Sequence, residues 1–121
     1  WMTCATAFPR GEVMGYDIQF GTARVVVFGS LCDKFPKVLA QHQQCDIVFL
    51  PLAGRNDIAL PGFNVANALQ PKIVIPTHYD LFFPPISQWT DLTGFEAKIA
   101  AEMPGTQIIK PEIGVPQTLE I

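Results

Sequence analysis

Residues 71–80 read PKIVIPTHYD, and this stretch decides the fold. The apolar run shows no polar alternation, as expected of a strand covered on both faces in a parallel or mixed sheet. It ends at Pro76 and delivers Thr77, His78, Tyr79 and Asp80 to the loop that follows. One of the two histidines of the chain thus stands at the carboxyl end of a buried strand.

The same pattern recurs upstream. ARVVVFGS (23–30) and CDIVFLPLAG (45–54) are further continuous apolar runs, each closed by glycine or proline. VMGYDIQF (13–20), followed by Gly21-Thr22, predicts a hairpin with the first of them. Between the runs lie helical segments. In DKFPKVLAQHQQ (33–44), Asp33 is placed to cap and Pro36 falls in the first turn, with Phe35, Val38, Leu39 and His42 at helical spacing. NVANALQ (64–70), capped by Asn64, ends at Pro71, and GFEAKIAAEM (94–103) puts Phe95, Ile99 and Met103 on one face. Residues 55–63 and 80–92 read as loops, and TQIIK (106–110) and VPQTLEI (115–121) as short closing strands. The expected fold class is α/β, a mixed β-sheet with flanking helices, with residues 1–121 as a single domain free of repeats and linkers.

Composition narrows the function. Apolar residues make up 49% and charged residues 16% of the 121, well away from disorder. The net charge is -3, with Lys and Arg scattered, so no nucleic-acid footprint is present. No apolar stretch is long enough to span a bilayer, and residues 1–20 lack the basic start and apolar middle of a secretory signal; a cytoplasmic, non-membrane chain is expected. Three cysteines without a C-x-x-C pair argue against a disulfide framework or a cysteine zinc site. They read as small buried hydrophobes.

In open α/β sheets, ligand groups gather beyond the carboxyl ends of the strands. Here those ends are Gly29-Ser30, Leu52-Ala53-Gly54 and Thr77-His78-Tyr79-Asp80. An imidazole at such a place either binds metal and moves protons or is a hydrogen-bonded strand-end residue. His42, within QHQQ, reads as a surface or boundary residue. Arg55, Asn56 and Asp57 are placed to meet a polar ligand or to be solvated. Phe82, Phe83 and Trp89 suit a pocket or an interface. CATAFPR (4–10) has the C-x5-R spacing of cysteine phosphatases, but it lacks the glycines that let such a loop wrap a phosphate.

The succession VVVFGS, CDIVFLPLAG, short helix, QPKIVIPTHYD resembles the C-terminal half of metallo-β-lactamase-fold hydrolases, most closely the branch that includes sugar-phosphate lactonases. The resemblance runs from about Gly15 to the C-terminus. It implies one half of an αββα sandwich, with His78 as the last metal-ligating histidine and Ser30, Tyr79 and Asp80 beside substrate or behind the ligands. It also exposes departures. Where the family carries a metal-bridging aspartate, this chain has Ser30; ATAFPRG has no histidine where one is usual; and nothing in residues 1–121 matches the H-x-H-x-D-H signature.

A catalytic zinc needs about three protein ligands and an open position. One histidine does not meet that need, so zinc or manganese is expected only with ligands from outside this chain, and no catalytic residue is assigned. A solitary half would also leave one sheet face wet, and a few hundred Å2 of apolar surface at about 25 cal/mol per Å2 is several kcal/mol. A partner is therefore expected, as a homodimer or a missing N-terminal half. The functional expectation is a fragment or degenerate member of the metal-dependent hydrolases, acting in its complete unit on a small-molecule ester, lactone or phosphoester. The alternative is a non-catalytic binding or dimerisation module.

Overall fold

Among the described residues, six strands lie side by side in chain order, β1 (Met2–Phe8), β2 (Gly11–Phe20), β3 (Ala23–Phe28), β4 (Ile47–Pro51), β5 (Ile73–Thr77) and β6 (Gln107–Ile108). The computed structural model describes residues 2–8, 11–31, 33–34, 36–81 and 83–121, with side chains from residue 15 onward. β1, β2 and β3 pair antiparallel, and β3 through β6 pair parallel. The sheet is mixed, as the apolar runs predict. β1 is an addition to that expectation. It sets Cys4 in mid-strand opposite Gly15, away from any strand-to-helix loop, which removes the cysteine phosphatase reading.

The β2–β3 hairpin turns at Gly21-Thr22, where Gly21 takes φ +58°, a conformation that costs glycine little. Each parallel step then crosses over through helix: α1 (Pro36–Leu39) with a 3-10 turn (Ala40–His42), α2 (Ala59–Leu69) and α3 (Thr93–Glu102). Parallel neighbours need such crossovers, since a tight turn reverses the chain.

Three elements differ from expectation. The first helix is shorter than DKFPKVLAQHQQ suggests, a single α turn running into a 3-10 turn. α2 begins at Ala59, five residues before Asn64, and runs through Pro61 and Gly62. Pro61 is tolerated because the first turn has no intrahelical acceptor for its N–H to lose. Residues 115–121 form no strand, and β6 is two residues long. The other helix boundaries agree: Gln70 closes α2 in the left-handed region at φ 47° just before Pro71, and Phe95, Ile99 and Met103 of the α3 stretch are buried.

The sheet has two apolar faces. On one, Val26, Phe28, Val48, Leu50 and Val74 pack against Leu39, Leu69 and Phe95 of the helices. Leu50, Leu69, Val48, Val74 and Phe95 are fully buried, each side chain contributing about 1.5–3 kcal/mol. On the other face, Ile47, Ile73 and Ile75 form a second cluster with Val25, Phe49, Ile109 and Leu119. The second face is thus not wholly wet: the C-terminal tail, which makes no strand, covers its β4–β5 side with Ile109 and Leu119.

Candidate functional site at the carboxyl ends of β4 and β5

A cleft of about 970 Å3 opens where β4 and β5 end. Its wall is Ala53 to Ala59, leading from β4 into α2, and its far side is Ile86 to Asp91, leading into α3. His78, the residue after β5, lines it. Because β4 and β5 run the same way in register, Pro51 lies opposite Thr77 and both strands discharge their loops on one edge. The backbone carries this on, with the Leu52 N–H donating to the Thr77 carbonyl at 2.9 Å.

The loop from residue 80 to 92 is held by its own hydrogen bonds. The Thr90 N–H donates to the Tyr79 carbonyl at 2.8 Å and closes the base, while the Ser87 N–H donates to the Phe83 carbonyl at 2.9 Å. Ser87 is buried, as a side chain that organises a turn from within must be. Closure at the base sets the Trp89 ring 6.5 Å from that of Tyr79, tilted by 59°. Trp89 itself remains 70% exposed at the cleft.

The cleft carboxylates serve the helices. Asp57 Oδ1 accepts the Ala59 N–H at 3.0 Å at the start of α2, and Asp91 Oδ1 accepts the Thr93 N–H at 2.9 Å and its hydroxyl at 2.6 Å at the start of α3. Each satisfies a donor that the first helical turn leaves open and places negative charge at the positive end of the helix dipole. The Thr93 hydroxyl and then the Thr93 N–H hold the Asp91 carboxyl below its ordinary range. Asp33, expected to cap the first helix, instead ion-pairs with Arg55 at 2.9 Å, bridging the segments that follow β3 and β4.

His78 occupies φ +59°, the left-handed region, where histidine is found more often than most non-glycine residues, at a cost of the order of 1 kcal/mol. Ser30 follows β3 and is half-buried; Tyr79 is half-buried against Trp89 and the edge of the core, and Asp80 is half-buried beyond it. None of these three is among the residues lining the cleft. Of the four residues proposed from sequence, the structure therefore brings His78 alone into it.

A catalytic metal does not fit the residues present. Among the described residues, no group of three or more His, Cys, Asp or Glu side chains stands close enough to hold an ion. The two carboxylates that line the cleft, Asp57 and Asp91, are engaged at helix starts, and Asp33 is engaged by Arg55. What the cleft offers is one imidazole, one guanidinium already paired, two capping carboxylates and an exposed indole.

The second histidine lies elsewhere. His42 is 4% exposed, a correction to its reading as a surface or boundary residue, and its Nδ1 lies 2.7 Å from Asp17 Oδ2. Arg24, at the start of β3, clasps the same carboxylate, and Asp46, just before β4, accepts the Arg24 N–H and the Lys72 ammonium. This network marks the starting edge of the parallel strands, opposite His78. Cys45 beside it is fully buried, and burial pushes its thiol up to about 12, the state of an inert packing residue. Cys32 lies outside the described residues, as does the side chain of Cys4.

Sequence reasoning placed Asp57 in the cleft loop but missed its role at the start of α2, and it missed Asp91. For Asp57 the signal was available: an aspartate followed by a proline within the next turn, taken at Asp33 and Pro36 as a helix start, also occurs at Asp57 and Pro61, whereas no proline follows Asp91.

No protein-family model matches the sequence, and no curated protein matches it. The fold is similar to that of Igni18, a metallo hydrolase from the hyperthermophilic archaeon Ignicoccus hospitalis, with a TM-score of 0.67 and 20% identity over 98% of this chain and 53% of that one. It is also similar to a Thermotoga maritima protein assigned to the zinc-dependent hydrolases of the metallo-β-lactamase superfamily, with a TM-score of 0.59 and 19% identity over 79% of this chain and 50% of that one. The architecture matches half of a metallo-β-lactamase fold, and the chain spans about half the length of the solved structures it matches. No helix among the described residues is long and apolar enough to cross a membrane.

Proposed function

We propose that this chain is the C-terminal half of a metal-dependent hydrolase of the metallo-β-lactamase fold and is not catalytic as this chain alone. The observation that carries the reading is the position of His78: an imidazole at the carboxyl edge of parallel strands, lining a cleft in which the described residues form no group of three or more metal-ligating side chains. In the complete unit His78 is one ligand of a zinc or manganese site, and the remaining ligands come from outside this chain. The substrate class is a small ester, lactone or phosphoester. Ser30, Tyr79 and Asp80 then support the site from behind, and the cleft side chains orient substrate.

A second reading is a binding module on the same scaffold, favoured by the neutral Ser30 and by carboxylates committed to helix starts. Zinc and manganese content of the purified chain, measured after dialysis and alongside hydrolysis of nitrophenyl acetate, a simple lactone and a nitrophenyl phosphodiester, tests the proposal. The expected result is metal well below one equivalent and no hydrolysis. Near-stoichiometric metal that disappears in His78→Ala would overturn it by showing a site complete within the chain.

A further inference from the structure

Apart from His78, the charged side chains that line the cleft among the described residues are Arg55, Asp57 and Asp91, and each is already engaged. Arg55 donates an Nη2–H to Asp33 Oδ1 at 2.9 Å, Asp57 accepts the Ala59 N–H at 3.0 Å, and Asp91 accepts the Thr93 N–H at 2.9 Å. The starts of α2 and α3 would draw an anion, but the chain's own carboxylates hold those places. A substrate anion would meet two carboxylates and one guanidinium whose charge Asp33 balances. What the cleft leaves open is apolar or neutral. Ile86 is 78% and Trp89 70% exposed, and both line it. They stand on a loop fixed around them, with the Ile86 and Ser87 N–H groups donating to the Phe83 carbonyl at 2.9 Å and the Thr90 N–H to the Tyr79 carbonyl at 2.8 Å. Large apolar side chains exposed singly need no explanation, whereas two that share one concavity mark a place for an apolar ligand group. The exposed amides of Asn56 and Gln88, also in the lining, offer donors to a carbonyl or ring oxygen.

We propose that the cleft selects an uncharged ester or lactone whose apolar ring or chain lies against Trp89 and Ile86, and that it rejects the phosphoester. The inference rests on the reading of this cleft as the substrate side of an incomplete hydrolase site, and it narrows the substrate class named there. At about 970 Å3 the cleft is at the upper end of the roughly 300–1,000 Å3 of small-molecule sites, with room for a ring and a chain together. Trp89 and Ile86 are then specificity-determining residues, and Asp57 and Asp91 exclude anions while they start the helices.

Tryptophan fluorescence tests it without added metal, in a Trp1→Phe background that leaves Trp89 as the reporter of the two indoles. The probes are phenethyl acetate, phenethyl phosphate and phenethylamine, which share one ring and chain and differ in charge. The expected result is a saturable shift of Trp89 emission with the acetate and binding of the phosphate weaker by about fivefold or more. Ile86→Ser, at an exposed position where folding is little affected, is expected to weaken acetate binding about fivefold. Asp91→Asn keeps an oxygen for the Thr93 N–H and removes the charge, so phosphate binding should tighten about threefold with acetate binding unchanged. Phosphate bound as tightly as acetate overturns the proposal, as does the amine binding tightest, acetate binding indifferent to Ile86→Ser, or no saturable response to any probe. None of these outcomes bears on the metal content of the chain, which is what decides the hydrolase reading itself.

Discussion

His42 Nδ1 lies 2.7 Å from Asp17 Oδ2 beneath the helix side of the sheet, with the two side chains 5% and 11% exposed. Arg24 donates its Nε–H to Asp17 Oδ1 at 2.9 Å and clasps the other oxygen with Nη2. One carboxylate thus accepts from two donors on different elements, fastening the first crossover to the hairpin. Asp17→Ala would take the carboxylate from a buried imidazole and from a guanidinium that keeps the Gln43 carbonyl as acceptor, a loss expected to cost about 3 kcal/mol. Urea unfolding at neutral pH measures it. A loss under about 1 kcal/mol would show that water replaces the carboxylate and that the network is incidental.

The same pair sets an acid limb. The Arg24 hydrogen bond, opposed by burial and aided by the His42 hydrogen bond, holds the Asp17 carboxyl below its ordinary range. A folded value below the unfolded one, about 3.9, means the stabilisation is fully present above that pH and is lost as pH falls through the folded value. Asp46 is depressed in the same direction, by Lys72 first and then by the Arg24 N–H. Stability should therefore fall from about pH 4 downward, and Asp17→Asn should lose less on the same acidification while starting lower at neutral pH. Parallel pH profiles of the urea midpoint in the two proteins would refute this assignment.

His78 is held at φ +59° whatever its chemical role, and that makes a test of backbone separable from a test of chemistry. Asparagine adopts the left-handed region readily, whereas a β-branched residue there is strained. His78→Asn is expected to stay within about 0.5 kcal/mol of wild type, and His78→Val to lose about 1–2 kcal/mol. Thermal melts of the two variants check it; equal stability would mean that the backbone at this position relaxes out of the left-handed region.

How much of this was legible beforehand follows from the physics of each element. PKIVIPTHYD and CDIVFLPLAG declare buried parallel strands because nothing polar interrupts them, and His78 follows at the edge where such strands end. The cleft itself was only half legible. Its wall depends on α2 starting at Ala59, and Pro61-Gly62 reads as a loop signal unless Asp57 is recognised as the acceptor that starts the helix. His42 was misplaced for a different reason: QHQQ is polar in sequence, and its burial depends on a carboxylate 25 residues away in the hairpin. The tail was misread because VPQTLEI alternates like an edge strand, yet Leu119 covers a sheet face without joining a ladder.

Gly62 shows the same long-range dependence in a form that one substitution can probe. It lies in the first turns of α2, and a Cβ built there would stand 2.7 Å from Leu52 Cδ2 and 3.0 Å from Phe95 Cδ2. Both neighbours are fully buried, so neither has free space to swing into. Glycine is what lets α2 approach the end of β4 and α3 this closely, and those are the elements that frame the cleft. Alanine would gain about 1 kcal/mol of helix propensity, while overpacking of this kind costs about 1–3 kcal/mol. Gly62→Ala is therefore expected to be net destabilising by up to about 2 kcal/mol, lowering the melting midpoint by as much as several degrees. Calorimetry on the two proteins decides it, and a raised midpoint would show that Leu52 and Phe95 have slack, so that the close approach is a consequence of packing elsewhere and not of the missing side chain.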